Sequence, residues 1–140
     1  MDRAFLALGC AFAFLAVAAG AFGTHALRAR LTPERLATFE TAVRYQLWHA
    51  LALFAAVFVD RSRPLHASGW FTYAPLSALH PFSLPIALAG WLFVVGIVLF
   101  SGSLSALALT GERRWAAVTP FGGLCLLGGW VALLVAVLTS

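Results

Sequence analysis

The sequence predicts an all-α polytopic membrane protein with four transmembrane helices in two antiparallel hairpins. Of its 140 residues, 62% are hydrophobic and only 10% are charged, whereas a soluble domain carries about 25% charged residues. Long apolar runs recur four times along the chain, and about 20 such residues in a helix cross the roughly 30 Å hydrocarbon core of a bilayer. Because a chain in lipid must satisfy its own backbone hydrogen bonds, each run is predicted to be a helix.

The four spans are placed by their apolar runs and by the charges between them. The first is predicted over residues 4–27, and the second over residues 42–59 with Arg44 near its start. The third and fourth, residues 85–109 and 115–138, contain no charged side chain and are separated only by "TGERR". A connection this short makes the last two spans an antiparallel hairpin. The whole chain is predicted to form one membrane domain.

Two further segments flank the second span. Thr32 is a predicted N-cap and Pro33 a predicted first helical residue, because both residue types favour those positions. The helix begun there is predicted to lie at the membrane interface over about residues 33–41, and then to continue or bend into the second span. Residues 61–83 are predicted to form a surface loop, since amphipathic aromatic side chains settle at the interface. This loop is the candidate for docking a partner, through Trp70, Phe71, Tyr73, Leu76 and Leu79.

All nine basic residues are arginines, and most of them lie at the ends of spans. That placement is typical of contact with lipid headgroups rather than nucleic acid. The connections within the two hairpins, with the start of the second span, hold Arg28, Arg30, Arg35, Arg44, Arg113 and Arg114, and the opposite side holds Arg3, Arg61 and Arg63. The positive-inside rule then places both termini outside the cytoplasm.

Polar side chains appear unexpectedly in two apolar runs, "GAFGTHAL" (20–27) and "AVRYQLWHAL" (42–51). Such side chains are costly in lipid and usually face the interior of a bundle. The structural interpretation is an interhelical polar cluster that fixes how the first hairpin packs, formed by Thr24, His25, Tyr45, Gln46 and His49. Two alternatives are ligation of haem or a metal ion by the histidines and a proton or ion relay.

The relative depth of the two histidines depends on how the second span begins. If this span enters the membrane near Ala42, His25 and His49 lie at broadly similar depth on adjacent helices. If a straight helix rises from Pro33 instead, His49 lies on the order of 15 Å deeper than His25.

Small residues recur at four-residue spacing in the spans, a pattern that lets membrane helices approach closely. The predicted helix-packing positions are Gly20, Gly23, Gly102, Gly122, Gly123 and Gly129. Cys10 and Cys125 both fall inside spans, where a disulfide is not expected. No metalloprotease, phosphate-loop or nucleophile-elbow motif is present, so the sequence predicts no catalytic residue, metal ligand or cofactor.

Three blocks occur in a characteristic order, "GAFGTHAL", "TAVRYQLWHALAL" and "VLFSGSLSALALTGERRWAAVTPFGGLCLLGGW". In this combination the chain resembles the YgdD-like family of small bacterial inner-membrane proteins, domain-of-unknown-function family 423, which has mitochondrial relatives. The resemblance covers nearly the whole chain outside the loop, and it implies a four-span inner-membrane protein with no established reaction. The positions that match the family pattern, none with an assigned role, are Gly20, Gly23, His25, Tyr45, Gln46, His49, Ser101, Gly102, Ser103, Thr119, Pro120, Gly122 and Gly123.

These observations favour a non-enzymatic accessory or assembly subunit of a larger membrane complex, with a respiratory or photosynthetic complex as the first candidate. Its expected partners are the lipid bilayer and other membrane-protein subunits, and not nucleic acid. The main alternative is a small oligomeric transporter or channel, which would need a polar stripe through the third and fourth spans. A haem-binding electron carrier that uses His25 and His49 is the weaker alternative.

Overall fold

A computed structural model of the chain describes residues 2–62 and 84–139, without the side chain of Thr24. All regular structure in these ranges is helical. The elements are α1 (Asp2–Phe22), a first π-turn (Gly23–Leu27), α2 (Pro33–Ser62), α3 (Leu84–Gly96), a second π-turn (Ile97–Ser101), α4 (Gly102–Thr110), a 3-10 turn (Arg113–Ala117) and α5 (Thr119–Leu138).

Consecutive elements merge into four stretches that are long and apolar enough to span a bilayer. They are Asp2–Leu27, Pro33–Ser62, Leu84–Thr110 and Arg113–Leu138. The predicted all-α polytopic fold is confirmed, with each predicted span inside one of these stretches.

α2 is the central helix of the bundle. It packs against α1 on one side, and against α3, the second π-turn and α4 on the other. α3 and the second π-turn pack on α5 to form the second hairpin. α1 has its main partner in α2, so much of its surface faces outward.

α2 runs without a break from Pro33 to Ser62. At its start the hydroxyl of Thr32 accepts the backbone N–H of Arg35 at 3.4 Å, a weak N-cap bond. Phe39 is buried, so residues 33–41 are the first turns of the spanning helix, the continuation that the sequence left open. Apart from the end of α2, the surface loop lies outside the described residues, and with it Trp70, Phe71, Tyr73, Leu76 and Leu79.

The core has two parts along the bundle. The larger part joins all four spans and includes the fully buried side chains Phe5, Leu53, Ile86 and Phe93. A smaller cluster of Leu27, Phe39 and Ala108 lies where the hairpin connections meet. Since lipid tails are as apolar as these side chains, the bundle depends on close packing and interhelical hydrogen bonds rather than on burial from water.

Glycines provide the closest helix approaches. Gly122 of α5 lies directly against the backbone of Phe100, so that any Cβ there would overlap backbone atoms. A Cβ on Gly129 would lie 2.6 Å from the ring of Phe93. α5 can therefore approach the second π-turn and α3 only where it lacks side chains.

The other predicted packing glycines make looser or different contacts. A Cβ on Gly23 would lie 2.7 Å from the ring of Phe39, whereas Gly20 and Gly123 leave room for ordinary contacts at 3.5 and 3.7 Å. The pattern of four-residue spacing missed three tight positions, which are Gly90 against Phe5, Gly96 against Leu126 and Gly9 against Phe54.

Gly102 differs from its predicted role. A Cβ there would meet no described atom within 4 Å, so this glycine is not placed at a helix contact. The reason is the second π-turn, which inserts one residue into the helix and rotates everything after it by about 100°. Its neighbours Ser101 and Ser103 face the core instead, with 1% and 3% of their surface exposed.

Candidate functional site

His49 lies at the junction of α2 with the second hairpin and is only 6% exposed. Its Nδ1 lies 2.8 Å from the backbone oxygen of Tyr45, one turn earlier on α2. Its Nε2 accepts the indole N–H of Trp130 on α5 at 3.2 Å. Both ring nitrogens of this buried imidazole therefore have a partner.

These two bonds assign the tautomer of His49. A backbone oxygen can only accept, so Nδ1 must carry the proton that Tyr45 receives. An indole N–H can only donate, so Nε2 must offer its lone pair to Trp130. The arrangement is complete for a neutral imidazole, and it leaves no nitrogen free to bind haem iron or a metal ion.

Three aromatic rings surround the imidazole of His49, and with a fourth ring that contacts Tyr45 they form the His49 cluster. The ring of Tyr45 stacks on it at 5.9 Å with an interplanar angle of 18°. The rings of Phe93 and Trp130 lie 5.9 and 6.2 Å away, and Phe100 contacts Tyr45 at 4.8 Å. The His49 cluster thus joins α2, α3, the second π-turn and α5.

Gln46 extends the polar contacts of α2 to the first helix. Its side-chain N–H₂ donates to the backbone oxygen of Phe12 on α1 at 3.0 Å. Gln46 and His49 point to different neighbours, so one stretch of α2 is hydrogen-bonded both to α1 and to α5. Among the described side chains of the predicted cluster, Gln46 alone bonds across the first hairpin, whereas His49 binds α5 of the second hairpin. Tyr45 takes part through its backbone oxygen and its ring.

His25 is not brought to the other polar residues. It lies exposed in the first π-turn, whereas His49 lies roughly 24 Å along α2 from its start at Pro33. Within residues 2–62 and 84–139 no three His, Cys, Asp or Glu side chains lie close enough to hold a metal ion. The geometry gives the two histidines separate surroundings and no shared ligand.

A second group of polar side chains surrounds the second π-turn. The hydroxyl of Ser103 donates to the backbone oxygen of Phe100 at 3.1 Å and shares a hydrogen bond of 2.8 Å with the hydroxyl of Thr119. The hydroxyl of Ser101 is buried and has no partner among the described residues. Ser103 and Thr119 join α4 to α5. The buried hydroxyl of Ser101 lacks the hydrogen bond that would offset the free energy of its desolvation.

Arg35 joins the two hairpins at the end where their connections meet. Its Nε and Nη2 donate to the backbone oxygens of Ala108 and Leu109, at 2.6 and 2.5 Å. These are among the last carbonyls of α4, which have no partner within their own helix. The guanidinium also lies close to Gly111, which turns the chain with φ +77°. A positive charge at a helix C-terminus is favourable.

Sequence reasoning did not identify Trp130 or Arg35, although each gave a signal. The indole N–H of Trp130 lies within an apolar span and needs an acceptor. His49 is one of the few side chains in the other spans that can accept a hydrogen bond. Arg35 occupies the position where a capping-box carboxylate would lie, so its side chain was available to bind another helix.

Comparisons with known proteins agree on one family. The model of the family described as "Protein of unknown function (DUF423)" matches residues 19–123. The membrane protein YwdK of Bacillus subtilis is 36% identical over 96% of this chain and 95% of its own. The inner membrane protein YgdD of Escherichia coli is 35% identical over 87% of this chain and 79% of its own. Both relatives carry the family designation UPF0382 in their names. No solved structure matches.

Proposed function

Since the chain belongs to the DUF423 family of membrane proteins, we propose that it is a non-enzymatic accessory or assembly subunit of a larger complex in the bacterial inner membrane. The observation that carries this proposal is the outward side of α1 and the first π-turn. Seven of its exposed residues fall on a heptad pattern, flanked by the larger exposed side chains Leu15, Val17 and Phe22. This α1 outer face consists of Ala4, Ala7, Ala11, Phe14, Ala18, Ala21 and His25.

The composition of the α1 outer face favours contact with another helix over contact with lipid alone. Lipid does not drive apolar surfaces together, so membrane helices associate where small side chains let their backbones approach. A repeat of seven residues keeps such positions on one seam along the whole helix. Five of the seven positions are alanine, and His25 at the end of the seam offers a hydrogen-bonding group to a partner.

The interior of the bundle supports a packing role. His49, Gln46 and Ser103 all direct their polar atoms to partners on this same chain. These bonds hold the helices together and give little for a substrate to bind. A transporter would instead need a stripe of polar atoms directed into a path for its solute.

The distribution of charge supports an orientation with both termini outside the cytoplasm. The end formed by the connections within the hairpins holds five arginines against Glu34 and Glu112. At the opposite end, Arg61 lies 3.5 Å from Asp2 in an ion pair. Cysteines introduced at Leu31 and at Thr139, with Cys10 and Cys125 replaced by serine, test this proposal in intact cells. An impermeant maleimide is expected to label position 139 only, and labelling of position 31 alone would reverse the orientation.

Native mass spectrometry of the protein, extracted from its own membrane in mild detergent, tests the proposed role. A mass above 14.9 kDa that includes foreign membrane chains is expected. The double variant Ala11→Leu/Ala18→Leu adds bulk to the α1 outer face and should release those chains. Gly102→Leu adds bulk to another outward site and should retain them. A monomer would contradict the proposal, and a homo-oligomer would favour the transporter instead.

A further inference from the structure

Three arginines lie exposed at the end where the hairpin connections meet. Arg28 and Arg30 belong to the connection between the first π-turn and α2, and Arg113 begins the 3-10 turn before α5. None has an ion pair or hydrogen bond from its side chain among the described residues. We propose that this arginine edge, formed by Arg28, Arg30 and Arg113, binds the phosphate groups of anionic phospholipids.

The packing of the chain brings the two connections together. Leu27, directly before Arg28, packs in one cluster with Ala108 near the end of α4. The Arg35 guanidinium binds Ala108 and Leu109 and lies within 4 Å of the position that a Cβ on Gly111 would take. The three arginines therefore border one end of the bundle rather than two separate loops.

The other charges at this end already have partners. Arg35 is bound to the C-terminal carbonyls of α4, and Arg114 is paired with Glu112 and lies 5.5 Å from the centre of the Trp115 ring. The carboxyl of Glu34 faces its own backbone N–H and the Thr32 hydroxyl at the start of α2. Within the two connections and the first turn of α2, the three side chains of the arginine edge are therefore the ones available to an external anion. Arg44 is also exposed, but it lies about 16 Å further along α2 from Pro33.

The depth of the arginine edge favours a lipid over a soluble polyanion. Arg28 follows Leu27, the last residue of the first span, and Arg113 is the first residue of the fourth. Side chains at span ends lie at the level of the headgroups. A guanidinium can bind two phosphate oxygens at once, and basic groups at this level are attracted to anionic lipids.

The test compares lipid binding to the purified full chain after delipidation. Phosphatidylglycerol is titrated in neutral detergent, and bound lipid is counted by native mass spectrometry. For Arg28→Gln/Arg30→Gln/Arg113→Gln, binding is expected to weaken roughly fivefold per arginine, on the order of a hundredfold in total. Arg3→Gln, at the opposite end, should change it less than twofold. Equal losses in both variants, or no loss in the triple variant, would overturn the proposal.

Further measurements distinguish an anionic lipid from free phosphate and from an acidic protein partner. Phosphatidylcholine carries the same phosphodiester with a compensating ammonium, so its binding should be weaker and should fall far less in the triple variant. Millimolar inorganic phosphate should not displace phosphatidylglycerol. Efficient displacement would instead indicate a site for free phosphate. An acidic soluble protein that co-purifies with the natural chain and is lost from the triple variant, with lipid binding unchanged, would also overturn the proposal. Equal melting temperatures of the two forms in phosphatidylcholine show that the triple variant is folded.

Discussion

The indole N–H of Trp130 and the Nε2 of His49 form a hydrogen bond of 3.2 Å that joins α5 to α2. Trp130 is 46% exposed, so its ring lies between the lipid and the interior while its nitrogen faces inward. The opposite nitrogen of His49 is held by Tyr45. The bond therefore has a defined donor and a defined acceptor, and its loss leaves a buried nitrogen unpaired.

Trp130→Phe is expected to lower the free energy of unfolding by about 1 kcal/mol, because an interhelical hydrogen bond in a membrane contributes roughly this much. Unfolding by sodium dodecyl sulfate in mixed micelles, followed by circular dichroism, measures the change. Trp91→Phe is the matched control, since Trp91 is half-exposed and packs edge-on against Phe5. An equal loss in both variants would mean that ring size, and not the bond, is responsible.

Gly122→Ala is expected to destabilise the bundle by about 1–3 kcal/mol, because the added methyl group would overlap the backbone of Phe100. Gly102→Ala adds the same methyl group where no described atom lies within 4 Å. That variant should be neutral or more stable by up to about 1 kcal/mol, since alanine favours a helix over glycine. The same unfolding measurement compares the stability of the two variants. A greater loss in Gly102→Ala than in Gly122→Ala would refute the placement of α5 against the second π-turn.

Ser101→Ala and Ser103→Ala should have opposite effects although they lie two residues apart. The hydroxyl of Ser101 is buried without a described partner, so its removal should be neutral or stabilising by about 1 kcal/mol. Ser103 is bonded to Thr119, so its removal should cost about 1 kcal/mol. Chemical unfolding of the two variants in parallel gives the comparison, and a loss in both would show that Ser101 has a partner after all.

Arg35→Gln should lower the free energy of unfolding by about 1 kcal/mol, since the charge and at least one of its bonds to the carbonyls of α4 are lost. Arg35→Lys keeps the charge but not the planar pair of donors, and should recover part of the loss. Arg3→Gln is the control, because that side chain is exposed at the opposite end and has no described partner. Identical stability of all three variants would contradict the role assigned to Arg35.

The spans were predictable because a helix that crosses the hydrocarbon core of a bilayer needs about 20 apolar residues in a row. The third span, predicted over residues 85–109, agrees with Leu84–Thr110 to one residue at each end. The first turns of α2 were harder, since Glu34 and Glu40 make the segment resemble a surface helix. Contact between Phe39 and Gly23 keeps those turns in the bundle. The hydropathy of one segment cannot predict a contact with another segment.

Only part of the candidate site could be predicted from the sequence. Helical periodicity alone places Tyr45 and His49 on one face of α2, because helical positions four residues apart are neighbours. It could not identify Trp130 as the partner, since that choice depends on the rotation of α5 about its own axis. Nor could it predict that His25 lies exposed and apart from the other residues of the predicted cluster, since that depends on how α1 packs on α2.

The second π-turn gives the third span one residue more than a regular α-helix needs to connect its two ends. Deleting one residue between Ile97 and Ser101 would restore the regular register and turn the following segment by about 100°. Gly102 would then point in a different direction, and Ser103 would lose its hydrogen bond to Thr119. The length of this short segment thus sets the phase of α4, so a single-codon deletion there would reorganise the bundle more than most amino-acid replacements.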